Sequence, residues 1–256
     1  MYRQRGEAYE KALLTTLRQQ FEQQRTEILQ NASTAVLHGY PERKPTKKEK
    51  KDYLGALLLF GIYTDLMRKA LAPILYALLV ETGKDAMGQV DLDPSQFNPT
   101  DVQVLNYSQH QAQKIATEVN DETEKQLRAS LGQGIDDGED DNHLQARIEE
   151  VFGAALTYRA HRITRTEVTR AQGFADIAAW KQSGRVSGKA WYTAEDEKVC
   201  AFCAHLDGVI VQLDSNYFSL GDVYEVDGQK LNINYEAVGS PPVHPNCRCY
   251  LQPVLL

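Results

Sequence analysis

Cysteine is scarce in this chain and confined to one end. There are four in 256 residues, all between positions 200 and 249. Residues 1–25 are polar and charged, with no apolar stretch of the kind a secretory leader carries. Both features favour reduced thiols over disulfides, and so metal binding. Long hydrophobic runs are also missing. The most apolar region, Tyr53–Val80, is interrupted by Asp65, Arg68 and Lys69, which leaves uncharged runs of 12 and 11 residues. A membrane-spanning helix needs roughly 20, so this region reads as buried helix and the chain as having no membrane contact. Positive charge is in deficit, with 28 Lys+Arg against 35 Asp+Glu and a formal net charge of −7. Up to residue 150 the balance is 18 to 24, and after it 10 to 11. Neither half is an electrostatic nucleic-acid binder as a whole. No Walker or Rossmann glycine pattern, no Gly-x-Ser-x-Gly context and no repeat of fixed period is present.

What the chain does have, first, is helical periodicity. Leu13, Leu14, Leu17, Phe21 and Ile28 recur at helical spacing among Gln, Glu and Arg, so residues 5–31 read as one helix. A Gly-Tyr-Pro break at 39–41 precedes the basic stretch Arg43–Lys51, which includes Lys47 and Lys48. The apolar helix follows, and Pro73 is expected to kink or divide it. Residues 86–100 hold Gly88, Pro94 and Pro99 and read as a loop, with Thr100 or Asp101 capping a helix over about 101–130. Gly132–Asn142 is glycine and acid. It resembles a calcium loop in composition only, because the Asp-x-Asp-x-Asp-Gly order and the distal Glu are missing. It reads as a connector whose last acids cap a helix at 143–156.

A further helix spans 159–182, with Ile163, Val168, Ala171, Phe174, Ile177, Ala178 and Trp180 on its apolar side and Ser183-Gly184 ending it. The period then changes. Gly188–Thr193 and Val209–Leu213 read as short strands, and Val223–Val226 and Gln229–Ile233 flank Asp227-Gly228, a two-residue hairpin signal. Tyr250–Val254 reads as a last strand, which Pro253 places at a sheet edge. The expected fold class is α+β: an extended helical arm over residues 1–104, then a small α+β module over 105–256 closed by a Cys/His knot.

That knot is Cys200-Ala-Phe-Cys203 together with His244-Pro-Asn-Cys247-Arg-Cys249. Cysteines paired at short spacing on two turns suit a tetrahedral zinc ion, and forty residues separate Cys203 from His244, so the ion would close the hairpin region. Five donors exceed four places. Two ligand sets are expected, Cys200, Cys203, Cys247, Cys249 or Cys200, Cys203, His244, Cys247, with His205 a weaker sixth donor. A filled tetrahedron has no open position, which marks a structural rather than a catalytic site. It would replace core that a loop-rich module cannot build.

Two other clusters carry charge. Arg159, His161, Arg162, Arg165, Thr166, Glu167 and Arg170 share one helix. Its arginines read either as an anion- or DNA-contacting face, joined by Lys47 and Lys48, or as internal ion pairs that fix the helix to the knot. Glu195-Asp196-Glu197, with His205 and Asp207, reads either as acids for metal-assisted hydrolysis or as turn residues, Asp196 and Asp207 accepting from backbone amides.

Taken in order, Arg165-Thr166-Glu167, Trp191, Asp196, Cys200-x-x-Cys203, Leu206-Asp207-Gly208 and Pro242-x-His244-Pro-x-Cys247-Arg248-Cys249 resemble the phage Mu F-like family of head morphogenesis (minor head, or minor capsid) proteins, over roughly residues 105–253. The first hundred residues carry no such signature. The resemblance implies a non-enzymatic protein of a tailed phage or prophage, assembled in the host cytoplasm and present in few copies in the virion head. It implies association with the portal protein and with the major capsid or scaffold protein of the procapsid, and a part in assembly and DNA packaging or delivery. The alternatives are a DNA-binding accessory factor using Arg43–Lys51 and Arg159–Arg170, and a zinc nuclease or nucleotide-transfer enzyme using Arg165 and Glu167.

Overall fold

The computed structural model describes residues 2–37, 45–194 and 196–256, with side chains from residue 6 and excluding those of 34–37. The Gly-Tyr-Pro break, Arg43, Lys44 and Glu195 lie outside the described residues. The fold is α+β, a long helical first half followed by a small strand module. Helices α1 (Tyr2–Leu37), α2 (Lys47–Leu57), α3 (Phe60–Gly88), α4 (Val102–Asp137), α5 (Asp141–Ala154) and α6 (Ala160–Ser183) come first, with a 3-10 turn at Pro94–Gln96 and a π-turn at Ala155–Arg159. Strand β1 (Val186–Tyr192), helix α7 (Ala201–Leu206) and strands β2 (Ile210–Gln212), β3 (Val223–Val226), β4 (Gln229–Asn232) and β5 (Tyr250–Leu255) complete it. No described helix is long and apolar enough to cross a membrane.

The apolar region breaks at Leu58 and Leu59, and α3 continues through Pro73. A proline inside a helix costs one hydrogen bond and a steric clash, about 3 kcal/mol. Leu71, Ala72, Leu75, Leu78 and Leu79, all buried around it, offset that by burial alone. Likewise α4 runs on to Asp137 through two glycines of the expected connector and stops at Gly138, whose φ is +74°. The caps fall where the sequence placed them: Asp101 accepts from the Gln103 amide at 2.7 Å, and Asp140 from that of His143 at 3.0 Å.

The chain divides into two compact units, and the boundary expected between 104 and 105 falls within α4. One unit comprises 12–72 and 109–161. Its core is a helical stripe of Leu13, Leu17, Phe21 and Ile28 from α1, with Leu54, Leu57, Tyr63, Met67, Ile115, Leu127, Ile148 and Phe152. A polar chain crosses this core: Gln24 donates to Asn120 at 3.0 Å, and Asn120 to Thr64 at 3.1 Å.

The other unit comprises 1–11, 73–108 and 162–256, and holds all the strands among the described residues. Its three-stranded antiparallel sheet has the order β2-β1-β5, and β3 and β4 form a separate hairpin. Asp227 and Gly228 have φ of 51° and 75°, the left-handed pair that a tight two-residue hairpin requires. Pro253 sits on edge strand β5 opposite Lys189, where its missing N–H leaves no ladder bond unmade.

Central strand β1 buries a charge. Lys189 is 2 % exposed, and its Nζ donates to the Leu213 carbonyl at 2.8 Å. Burial, reinforced by Lys181, lowers its pKa to about 8. The folded value lies below the unfolded one, so the unfolded chain holds the extra proton between pH 8 and the ordinary lysine range. Stability contributed by this residue should therefore rise over that interval, by about 3 kcal/mol for a shift of this size. Chemical denaturation of wild type and Lys189→Met across pH 7–11 checks this. The variant should lack the rise, and parallel curves would show that the buried ammonium carries no penalty.

Candidate metal centre

Helix α7 begins at Cys200, whose Sγ caps it by accepting from the Cys203 amide at 3.4 Å. One helical turn thus turns both sulfurs to the same side. The sequence reading made Cys200–Cys203 a turn. A six-residue helix is too short to show periodicity, although Cys203 and Leu206, its buried residues, keep the i, i+3 spacing. The second donor segment enters β5. Cys247 and Cys249 are buried, and Arg248 between them is only half-buried, the alternation of extended backbone.

All five donors converge on Cys203. His244 Nε2 lies 3.0 Å from Cys200 Sγ and 3.2 Å from Cys203 Sγ, and Cys247 Sγ lies 3.7 Å from Cys203 Sγ. The donor atoms form two groups, Cys200–Cys203–His244 and Cys203–Cys247–Cys249, each within 4.8 Å throughout. A zinc tetrahedron with standard bond lengths has sulfur–sulfur edges of about 3.8 Å and sulfur–nitrogen edges of about 3.5 Å. The observed separations match the first and fall slightly short of the second. His244 Nδ1 lies 2.9 Å from the Pro245 carbonyl. A carbonyl only accepts, so the proton sits on Nδ1 and the Nε2 lone pair faces the sulfurs, as in a metal-ligating histidine. The cavity at the cluster is about 20 Å³, room for one ion and not for an organic substrate. No disulfide joins the four cysteines. Cys203, Cys247 and Cys249 share protons: hydrogen bonds from Cys203 and Cys249 favour the Cys247 thiolate, and the same sharing pushes the Cys203 thiol up. The cluster could hold a metal ion.

His205 is exposed and turns its Nδ1 to the Ala201 carbonyl at 3.0 Å, outside both groups. Asp196 accepts from the Lys198 amide at 3.0 Å and makes a two-pronged ion pair with Arg248. Asp207 accepts from the Thr193 amide at 2.8 Å, and Gly208, with φ of 75°, completes that turn. Sequence reasoning missed the Arg248 partner. The alternation aims Arg248 away from its two cysteine neighbours but does not single out Asp196.

Helix α6 lies along the second donor segment. Arg165 donates to Asn246 at 3.2 Å, Asn246 N to Thr166 Oγ1 at 2.9 Å, and Thr169 Oγ1 to the Cys247 carbonyl at 3.2 Å. A side chain at Gly173 would meet Ser240 Oγ at 2.6 Å, so the helix approaches that segment only with glycine there. Arg165 also pairs with Glu10 at 3.6 Å, and Arg170 with Glu167 at 3.0 Å and Glu236 at 3.2 Å. In the other unit Arg159 donates to Thr123 at 2.9 Å and to the Val119 carbonyl at 2.6 Å. Arg162, Lys47 and Lys48 are exposed.

The family model described as phage Mu protein F like protein matches residues 125–252, half of the chain, and takes in all five donors. The chain belongs to the phage Mu F-like family. This membership supports a phage head morphogenesis protein. No curated protein and no solved structure matches the chain. The Mu F-like match begins within α4 and ends within β5, so it also includes α6 and the residues through which it grips the donor segment.

The Arg248–Asp196 pair connects the two donor segments and is largely shielded from solvent. Arg248→Met should lower the unfolding free energy by about 2 kcal/mol, the cost of leaving a shielded carboxylate unpaired. Urea denaturation of a double-mutant cycle with Asp196→Ala checks it. Coupling should make the double variant lose less than the sum of the singles. Strict additivity would show that the pair does not clamp the site.

Proposed function

We propose that this protein is a non-enzymatic minor head protein of a tailed phage or prophage. It associates with the portal protein and with the major capsid or scaffold protein of the procapsid interior, and it assists head assembly and DNA packaging or delivery. The family match over the whole donor cluster carries this reading. The chemistry of the cluster supports it: sulfur and imidazole donors more than fill four places around a cavity of ion size, which suits a closed structural zinc site. Cys200, Cys203, His244, Cys247 and Cys249 are its candidate ligands, and bound zinc would supply a crosslink between α7 and the entry to β5. Co-purification with portal and procapsids, and a reconstruction of the head vertex, test the location. A protein found only free in the host cytoplasm would count against it.

Elemental analysis should give about one zinc per chain. Cys203→Ser and Cys247→Ser should each abolish hydrogen-exchange protection in β1–β5 while leaving α2, α4 and α5 protected. A metal-free protein with the same protection as the isolated one would refute the zinc site.

Non-specific contact with packaged DNA belongs to the same reading, with Lys47, Lys48 and Arg162 as the exposed cations that would make it. Retention on DNA should then weaken steeply as salt rises, and Lys47→Glu with Lys48→Glu should flatten that dependence by about two phosphate contacts. Identical salt slopes for variant and wild type would remove these lysines from any DNA contact.

A further inference from the structure

The first turns of helix α3 are apolar on two sides, and among the described residues the chain covers one of them. Phe60, Tyr63, Met67 and Leu71 are buried in the core of the unit comprising 12–72 and 109–161. On another side of the helix Ile62 is 64 % exposed and Leu66 37 %, and Leu59, where the chain enters α3, is 52 % exposed. Steps of three and four residues from Leu59 through Ile62 and Leu66 to Lys69 keep these positions in one seam. Apolar side chains scattered singly over a surface are ordinary, whereas a contiguous apolar patch rimmed by charge marks an interaction site. The rim here is positive at both ends. Helix α2 presents Lys47, Lys48, Lys51 and Asp52 to solvent, and its Glu49 is turned back onto the Thr46 amide at 2.7 Å. At the other end Asp65 is matched twice, by Arg68 at 2.8 Å and by Lys69 at 2.5 Å, so positive charge is in excess there too.

We infer that the seam of Leu59, Ile62 and Leu66 is the docking site for an amphipathic helix of another head protein, one whose own apolar seam is bordered by aspartate and glutamate. This rests on the head-protein reading above and goes beyond it by assigning the surface and the chemistry of its partner. A helix fits because side chains three and four residues apart interlock with those of a facing helix. Acidic borders fit because the lysines at both ends of the seam would then meet opposite charge. A second copy of this chain would set one positive end against another in either orientation, and like charges brought together at an interface oppose binding. Three side chains cover far less than the about 800 Å² per partner of a stable stand-alone interface. The contact is therefore weak singly and suits a multi-subunit assembly, in which several such contacts act together.

The test replaces Ile62 in the full chain by the photo-crosslinking residue p-benzoylphenylalanine during head assembly, with the same replacement at Lys125, exposed on α4, as control. Irradiation should join position 62 to a segment of another head protein in which apolar residues recur every three to four positions among Asp and Glu, as mass spectrometry of the joined peptide reads. A crosslink to a second copy, within the chain itself or to a segment without acids, or no crosslink beyond that of the control, would overturn the inference. Leu59→Asp with Ile62→Asp should leave the urea midpoint no lower, because both side chains face solvent, and should reduce incorporation into procapsids about tenfold or more. Lys51→Glu with Lys69→Glu should reduce it severalfold, and Lys51→Arg with Lys69→Arg should not. Undiminished incorporation of either the Asp or the Glu variant would overturn the inference and leave the head-protein reading standing. Absence of the wild-type protein from procapsids would sink both.

Discussion

Cys203 is where two stretches of chain, forty residues apart, are held together. The strand module around it has little else to stabilise it. Its sheet has three strands, one of them only three residues long, and its hairpin is a separate pair. Sheets this small bury little apolar surface. The apolar side chains it does bury, among them Trp191, Val226, Ile233, Val238, Val243 and Leu251, are spread across loops as much as strands. An ion bound at Cys203 would substitute for missing core, and five donors are gathered there to hold one. The Arg248–Asp196 pair and the Tyr235 hydroxyl, which donates to the Val243 carbonyl, then fix the backbone on both sides of His244.

Helix α6 provides the rigid wall against which this happens. Its polar face consists of Arg165, Thr166 and Thr169, and each bonds to the segment between Asn246 and Cys247. Part of the basic look of that helix in sequence is taken up by bonds within the fold, while Arg162 is exposed. Arg165 and Arg170 are matched by Glu10, Glu167 and Glu236. Guanidinium groups bonded in this way add little to an external field, consistent with a net charge of −7.

Much of this could be read from the chain, for identifiable reasons. The Asp227-Gly228 hairpin, the edge position of Pro253 and the caps at Asp101 and Asp140 depend on backbone chemistry a few residues long, so local sequence specifies them. The convergence of the two cysteine pairs was legible because ligand spacing constrains it directly. The misplaced features are those in which packing overrode a local signal. Pro73 does not divide α3, because the leucines around it are buried, and the glycines at 132 and 134 stay inside α4 for the same reason, since Leu131 and Ile135 are buried beside them. Between α5 and α6, by contrast, the expected break is present: Thr157, at φ −100° and ψ −106°, leaves helical geometry and kinks the chain. The Arg248–Asp196 pair spans 52 residues, and nothing in either neighbourhood announces its partner.

The proposed passive role follows from how fully the donors enclose the site. A metal centre that performs chemistry keeps one position open for water or substrate, with a general base beside it. Here the donors outnumber the places, and the cavity is about 20 Å³. Two carboxylates close in sequence are occupied, Asp196 by Arg248 and the Lys198 amide, Asp207 by the Thr193 amide. A base committed to a guanidinium or a backbone amide does not readily deprotonate a water. With more donors than places, such an ion would act by resisting the separation of α7 from β5. That mechanical property is what a head component needs if its strand module is to survive assembly without a large core of its own.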